Sequence, residues 1–188
     1  MFKTKILMLG PCESGKTAIS NFLSEASEQQ GGLYHATCGV RIVEFESQGL
    51  NVNGRTMNGE VELWDVSGDR KFENCWPAIA RDASGIIFVY NPDAPNHDKE
   101  LDSWYTHFVK QQGLRDSQCI VFKHQRPSAH DREIIELSGQ FSRIPVVQSN
   151  LEEDPEGLHL EFRNFLSTLL SAMSDKREQE ELSIMNQR

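Results

Sequence analysis

No apolar run reaches the roughly 18 residues that a helix needs to cross a bilayer. The N-terminus passes from Met1-Phe2-Lys3-Thr4 straight into what reads as a strand, so neither a membrane span nor a signal peptide is expected. The residues that lipid anchors require are missing as well. Position 2 is Phe rather than Gly, and the chain closes on Met185-Asn186-Gln187-Arg188 without a prenylatable cysteine, so no direct membrane anchor is expected. Basic surplus is lacking: 19 Lys and Arg stand against 28 Asp and Glu, a formal net charge of -9. That balance is repelled by nucleic acid and by anionic lipid, and neither is an expected partner. The cysteines Cys12, Cys38, Cys75 and Cys119 form no C-x-x-C pair, which suggests neither a zinc site nor a disulfide framework and fits a reducing, intracellular setting. Repeats and low-complexity blocks are absent, and 188 residues suit one domain with a core of its own.

What is present is a phosphate-binding pattern. Gly10-Pro11-Cys12-Glu13-Ser14-Gly15-Lys16-Thr17 matches G-x-x-x-x-G-K-[ST] at every fixed position. It follows the apolar run Lys5 to Leu9, a buried strand, and precedes Ile19, Phe22, Leu23 and Ala26 at helical spacing. A strand feeding a glycine-rich turn that opens a helix aims backbone N–H groups and the positive end of the helix dipole at one point, where a chain of phosphates fits.

Further along, Glu28 to Cys38 reads as a loop. Val40 to Glu46 alternates, with Arg41, Val43 and Phe45 on one face, and Glu60 to Trp64 forms a second strand. Asn53-Gly54 and Asn58-Gly59 both signal turns, so residues 40 to 65 are expected to form a hairpin with a long tip. Phe72, Trp76, Ile79 and Ala80 mark a helix, as do Leu101, Trp104, Tyr105 and Phe108; these aromatics read as core rather than recognition residues. Ile86 to Tyr90, Cys119 to Phe122 and Ile144 to Val147 are short buried strands. The last helix starts at Asp154-Pro155 and keeps Leu158, Phe162, Phe165, Leu166, Leu169 and Met173 on one face. Residues 1–173 are thus expected to be one domain, and 174–188 a charged tail, solvated or ordered by a partner, with simple disorder the favoured reading. Alternating strands and helices imply a mostly parallel sheet with helices on both faces and the ligand at the strands' carboxyl ends.

A nucleoside triphosphate needs a cation on its β and γ phosphates and a metal ion. Lys16 can supply the first and the Thr17 hydroxyl can ligate magnesium. Asp65-Val66-Ser67-Gly68 matches D-x-x-G, with Asp65 placed to hold a magnesium-bound water and the Gly68 N–H to meet the γ phosphate. Thr37 precedes the hairpin in Thr37-Cys38-Gly39-Val40. This order resembles the Rab and Arf branches of the Ras-like small GTPases. The resemblance implies a small-GTPase-like P-loop fold, an α/β domain whose six-stranded, mostly parallel sheet carries one antiparallel edge hairpin. It also implies that GTP or GDP is bound with Mg2+, that Thr37 ligates the metal with Thr17 and Asp65, and that residues near 28–39 and 66–80 are switches. Gly10, Glu13, Ser14 and Gly15 complete the implied phosphate cradle. Trp64 corresponds to an effector-reading aromatic of Rab-like proteins, with Ile42 and Ile79 at the companion positions.

The departures matter as much. Asp69 stands where the family places the glutamine that orients the attacking water; it is shorter, has no N–H donor and is anionic, so hydrolysis is expected to be slow. The guanine-reading N-K-x-D is replaced by Phe122-Lys123-His124-Gln125-Arg126-Pro127, and S-A-K by Ser149-Asn150-Leu151. The stem of Lys123 and backbone near Ser149 are the candidate base contacts, although an exposed loop is the favoured reading of Lys123 and His124. His35 reads as a solvated loop residue.

GPCESGKT, ELWDVSGDRKFENCWPAIARDA, SNLEEDPE and ELSIM together resemble the Rab-like subunit family of the intraflagellar transport B complex, also called the Rab-like protein five family, over about residues 3–185. The resemblance implies docking on coiled-coil subunits of that complex through the switch regions and Trp64. It also implies location in the cilium or flagellum and in cytoplasm near the basal body. Two other readings remain open at this point: a P-loop phosphotransferase, for which residues 123–143 make a short lid, and a pseudo-GTPase scaffold that binds partners without nucleotide.

Overall fold

The computed structural model describes residues 2–25, 37–125 and 136–185. Ala26, His35 and Arg126-Pro127, with most of the first expected switch, lie outside the described residues.

Strand β1 (Phe2–Leu9) sits in the middle of a six-stranded sheet of order β2-β3-β1-β4-β5-β6, completed by β2 (Val40–Val52), β3 (Arg55–Val66), β4 (Gly85–Tyr90), β5 (Cys119–His124) and β6 (Val146–Ser149). Every pairing is parallel except β2 with β3. Along β1 the period-two alternation sends Ile6 and Met8 to one face and Leu7 and Leu9 to the other. Helices α1 (Lys16–Leu23) and α4 (Pro155–Met185) cover the first face; α2 (Trp76–Ala80) and α3 (His97–Tyr105) cover the second. Covered on both sides, β4 is buried at all its positions, which is why its sequence is continuously apolar.

The hairpin turns once and tightly. Val52 pairs with Arg55, and Asn53 (φ 50) and Gly54 (φ 77) both take left-handed backbone, the geometry a two-residue connection between twisted strands requires. Asn58-Gly59 is strand rather than turn: Gly59 lies opposite Ser47 and beside Phe2, and the Leu170 side chain occupies the space above it. The expected long tip is therefore two extended strands, with a register shift between Ser47 and Leu50.

Other boundaries move for local reasons. Pro145 has no N–H to pair, so β6 begins at Val146, while the Pro145 carbonyl accepts from the Val121 N–H at 2.9 Å. The segment after D-x-x-G starts as a 3-10 turn over Arg70–Cys75 before α2. Trp76, Ile79, Trp104, Tyr105 and Phe108 are all buried, and Trp76 and Trp104 pack with tilted rings 4.4 Å apart between centroids. The tail reading needs correction, since α4 continues through Met185. A stripe of apolar residues is not needed to make a helix from Lys, Arg, Glu and Gln, which form helices well. The exposed pairs Lys176–Glu180 (3.8 Å) and Arg177–Glu181 (3.1 Å) span one turn each, and Asn53 donates to Asp175 at 2.8 Å. No helix among the described residues is long and apolar enough to cross a membrane.

Candidate functional site

The carboxyl ends of β1 and β3 bring the phosphate loop and D-x-x-G together. Gly10 (φ 149) and Gly15 (φ 102) bend the loop through backbone that other residues rarely adopt, and both are crowded. A Cβ on Gly10 would lie 2.0 Å from the Val89 carbonyl oxygen, and one on Gly15 would lie 2.3 Å from the His124 ring. Glu13 is also left-handed and its side chain is exposed; Ser14 is buried. Lys16, at the first position of α1, is buried and spans the loop. Its ammonium donates to the carbonyls of Gly10 (2.8 Å) and Pro11 (2.6 Å) and to the Ser14 hydroxyl (3.4 Å). Burial pushes its pKa down to about 8, against the pull of Asp65.

Beside Lys16, oxygen donors converge. The Thr17 hydroxyl donates to Asp65 Oδ2 at 2.6 Å, Thr37 Oγ1 lies 3.1 Å from Thr17 Oγ1, and Thr37 donates to the same carboxylate oxygen at 3.4 Å. Asp65 is fully buried, and its Oδ1 has no hydrogen-bond partner. Burial raises its pKa, opposed by the Thr17 hydrogen bond, Lys16 and Arg41. A buried carboxylate with an unsatisfied oxygen beside two hydroxyls is a hard, all-oxygen donor set that fits Mg2+. Arg41, which pairs with Asp65 in the β2–β3 register, brings its Nε to 3.9 Å from that carboxylate and also reaches Asn21.

Gly68 passes so close to the phosphate loop that a Cβ on it would lie 2.3 Å from the Cys12 backbone nitrogen. Asp69 follows, half exposed, and caps the 3-10 turn: its Oδ1 accepts from the Lys71 N–H at 3.0 Å and its Oδ2 meets the Lys71 ammonium at 2.8 Å. That pair holds the Asp69 carboxyl below its usual range. Cys12, Glu13, Gly68, Asp69, Asn91 and His97 line a cleft of about 630 Å3 next to the loop.

The far end of the site departs from expectation. His124 is buried, not part of an exposed loop: its Nδ1 lies 3.1 Å from the Ser149 hydroxyl and its ring covers Gly15. Register pairs His124 with Ser149 and Lys123 with Gln148, so the Ser149 side chain is brought to His124 while Lys123 stands half-buried beside them. The Ser149 carbonyl accepts from the Gln125 N–H at 3.1 Å. A period-two continuation of Ile120 and Phe122, both core residues, would have placed His124 on the same face.

Trp64 is half-buried, with the Lys5 ammonium 3.7 Å over its ring and its indole N–H donating to Glu62 at 3.4 Å. Ile42 is its cross-strand partner and is 47% exposed, whereas Ile79 is buried and takes no part in that surface.

A mostly parallel sheet whose strand ends gather a G-x-x-x-x-G-K-T loop, a loop threonine and a D-x-x-G aspartate is a P-loop domain of the small-GTPase kind. The family model described as the Ras of Complex, Roc, domain of DAPkinase matches residues 5–125. The chain is 46% identical to the intraflagellar transport protein 22 homolog of Homo sapiens over 98% of this chain and 100% of that protein. It is 30% identical to intraflagellar transport protein 22 of Trypanosoma brucei over 89% of this chain and 86% of that one. The chain belongs to the intraflagellar transport protein 22 family. Its fold matches the GDP-bound crystal structure of T. brucei IFT22 (TM-score 0.70, 26% identity, 92% of this chain and 99% of that one). It matches equally the GTP-bound T. brucei IFT22/74/81 crystal structure (TM-score 0.70, 29% identity, same coverage).

Proposed function

We propose that this chain is a guanine-nucleotide-binding interaction module of the intraflagellar transport B complex, working at the cilium or flagellum and in cytoplasm near the basal body. The reading rests on the meeting of Thr17, Thr37 and Asp65 within 3.4 Å beside the buried Lys16. Gly10, Glu13, Ser14, Gly15 and Lys16 would cradle the phosphates, and Gly68 would face the third. Thr17 and Thr37 would hold Mg2+, with Asp65 acting through a bound water, and the metal would neutralise phosphate charge. Lys123 and Ser149, at the adjacent ends of β5 and β6, are the candidate contacts to the base. Asp69, committed to its cap and to Lys71, offers no amide for an attacking water, which supports weak intrinsic hydrolysis.

The relative from T. brucei was crystallised GTP-bound with IFT74 and IFT81. Counterparts of those subunits, as coiled coils, are the partners we assign to the switch regions and to the Ile42–Trp64 face. Capture of such a pair by the purified chain, compared between wild type and Thr17→Asn, tests this reading. Thr17→Asn removes a metal ligand and the 2.6 Å bond to Asp65, so capture is expected to fall at least about tenfold, the loss of one charge-assisted bond. Equal capture would sink the switch and leave a nucleotide-independent scaffold.

A further inference from the structure

The phosphate loop and the segment after D-x-x-G share a cation that the site described above does not use. Lys71 is 65% exposed and its ammonium is tethered to Asp69 at 2.8 Å. Asp69 in turn lines the cleft beside the phosphate loop together with Cys12 and Gly68. Two walls of the site meet here: the phosphate loop with Cys12, and the segment Cys38-Gly39 that follows Thr37. The walls are close together at this point, because Gly68 abuts the Cys12 backbone and the Gly39 carbonyl accepts from the Ser67 N–H at 2.8 Å. Through Asp69, the residue after Gly68, the Lys71 ammonium is held close to where the two walls meet. The neighbouring cation is differently committed: Arg70 is paired with Glu73 at 3.8 Å and bonded to Ser103 on α3. Lys16 lies inside the loop.

We propose that Lys71 is a specificity residue for the triphosphate, an ammonium shared between Asp69 and the terminal phosphate of bound nucleotide. The proposal rests on the nucleotide-binding reading above and extends it to the residue that tells GTP from GDP. An exposed ion pair contributes little to stability, so releasing Lys71 from Asp69 costs little. A terminal phosphate carries more charge than one carboxylate and has several acceptor oxygens, and lysine binds it as a mobile point charge. Asp69 keeps its cap on the Lys71 N–H when the ammonium leaves, so the 3-10 turn need not unravel. Asp69 thus acts as a competitor that holds the cation until a third phosphate arrives.

The test measures affinities of the full chain, with Mg2+, for GDP and for a slowly hydrolysed GTP analogue. Lys71→Met is expected to weaken the analogue about five- to tenfold and GDP less than about twofold, the size of one exposed charge-assisted contact. The ammonium also lies 5.0 Å from the Phe72 ring centroid; Lys71→Gln, which packs there differently from Met but equally lacks the charge, should do the same. Asp69→Asn keeps a capping oxygen and should strengthen the analogue several-fold, and that gain should vanish in the Lys71→Met background. A Lys71 effect equal on both nucleotides, or absent from both, overturns the proposal. So does an Asp69→Asn gain that persists without Lys71, which would be simple repulsion. Failure of the wild-type chain to bind either nucleotide overturns the nucleotide-binding reading itself, and the proposal with it.

Discussion

Replacing Lys16 by Met is expected to lower the affinity for Mg-guanine nucleotide by about 10² to 10⁴-fold, because each charge-assisted hydrogen bond to phosphate is worth ~1.5–3 kcal/mol and the ammonium is placed to make two. The fold should survive, since the side chain's present partners are two carbonyls and a hydroxyl of its own loop. The buried ammonium also gives the prediction a pH signature. With the folded-state pKa near 8 and the ordinary lysine value at 10.5, the unfolded chain holds this proton more tightly. The burial cost is therefore fully present below about pH 8 and relieved as pH rises toward the unfolded value, a gain of about 3 kcal/mol in the nucleotide-free, metal-free protein. Lys16→Met should lack that gain in denaturant titrations run across the window. In the wild type, phosphates favour the charged form, so nucleotide affinity should decline above about pH 8, by up to about tenfold per pH unit. An affinity unchanged by Lys16→Met would mean that the loop does not grip phosphate.

Hydrolysis provides the second large effect. Wild-type turnover is expected to lie about 10² to 10³-fold below that of small GTPases carrying glutamine after D-x-x-G, the usual cost of one missing transition-state contact. Asp69→Gln should recover at least about tenfold in single-turnover phosphate release. The same substitution removes the cap on the 3-10 turn and the partner of Lys71, which should cost ~0.5–2 kcal/mol of stability. Faster hydrolysis in a less stable protein is thus the expected combination. Equal rates for wild type and variant would show that Asp69 is not what limits the chemistry.

The phosphate loop was legible in the sequence because its glycines, Lys16 and Thr17 are fixed by backbone geometry and charge that no other residues supply. The hairpin faces followed from alternation, and Arg41, Val43 and Phe45 are the more covered set. What was not legible depends on pairing between distant segments. Nothing local says that His124 meets Ser149, because that contact is created by the β5–β6 register. The polar stretch from Lys123 to Gln125 reads as loop until its alternation is continued from Phe122. Asn58-Gly59 carries a turn signal as strong as Asn53-Gly54, yet it lies in strand opposite Ser47 with Leu170 packed above. The helix beyond Met173 is not legible in the sequence because amphipathicity reports burial, and an exposed helical extension buries little. Nor does the sequence mark Lys71, whose place depends on its ion pair with Asp69 and on the approach of Gly68 to Cys12.

The central claim is that Gly10 to Thr17, Thr37 and Asp65-Val66-Ser67-Gly68 form a grip for guanine nucleotide. Its most direct test is the identity of the nucleotide released when protein purified in its native state is denatured and the supernatant is chromatographed. GTP or GDP in near-stoichiometric amount, absent from Lys16→Met prepared in parallel, is the predicted result. An adenine nucleotide, or an empty site in the wild type, would contradict it.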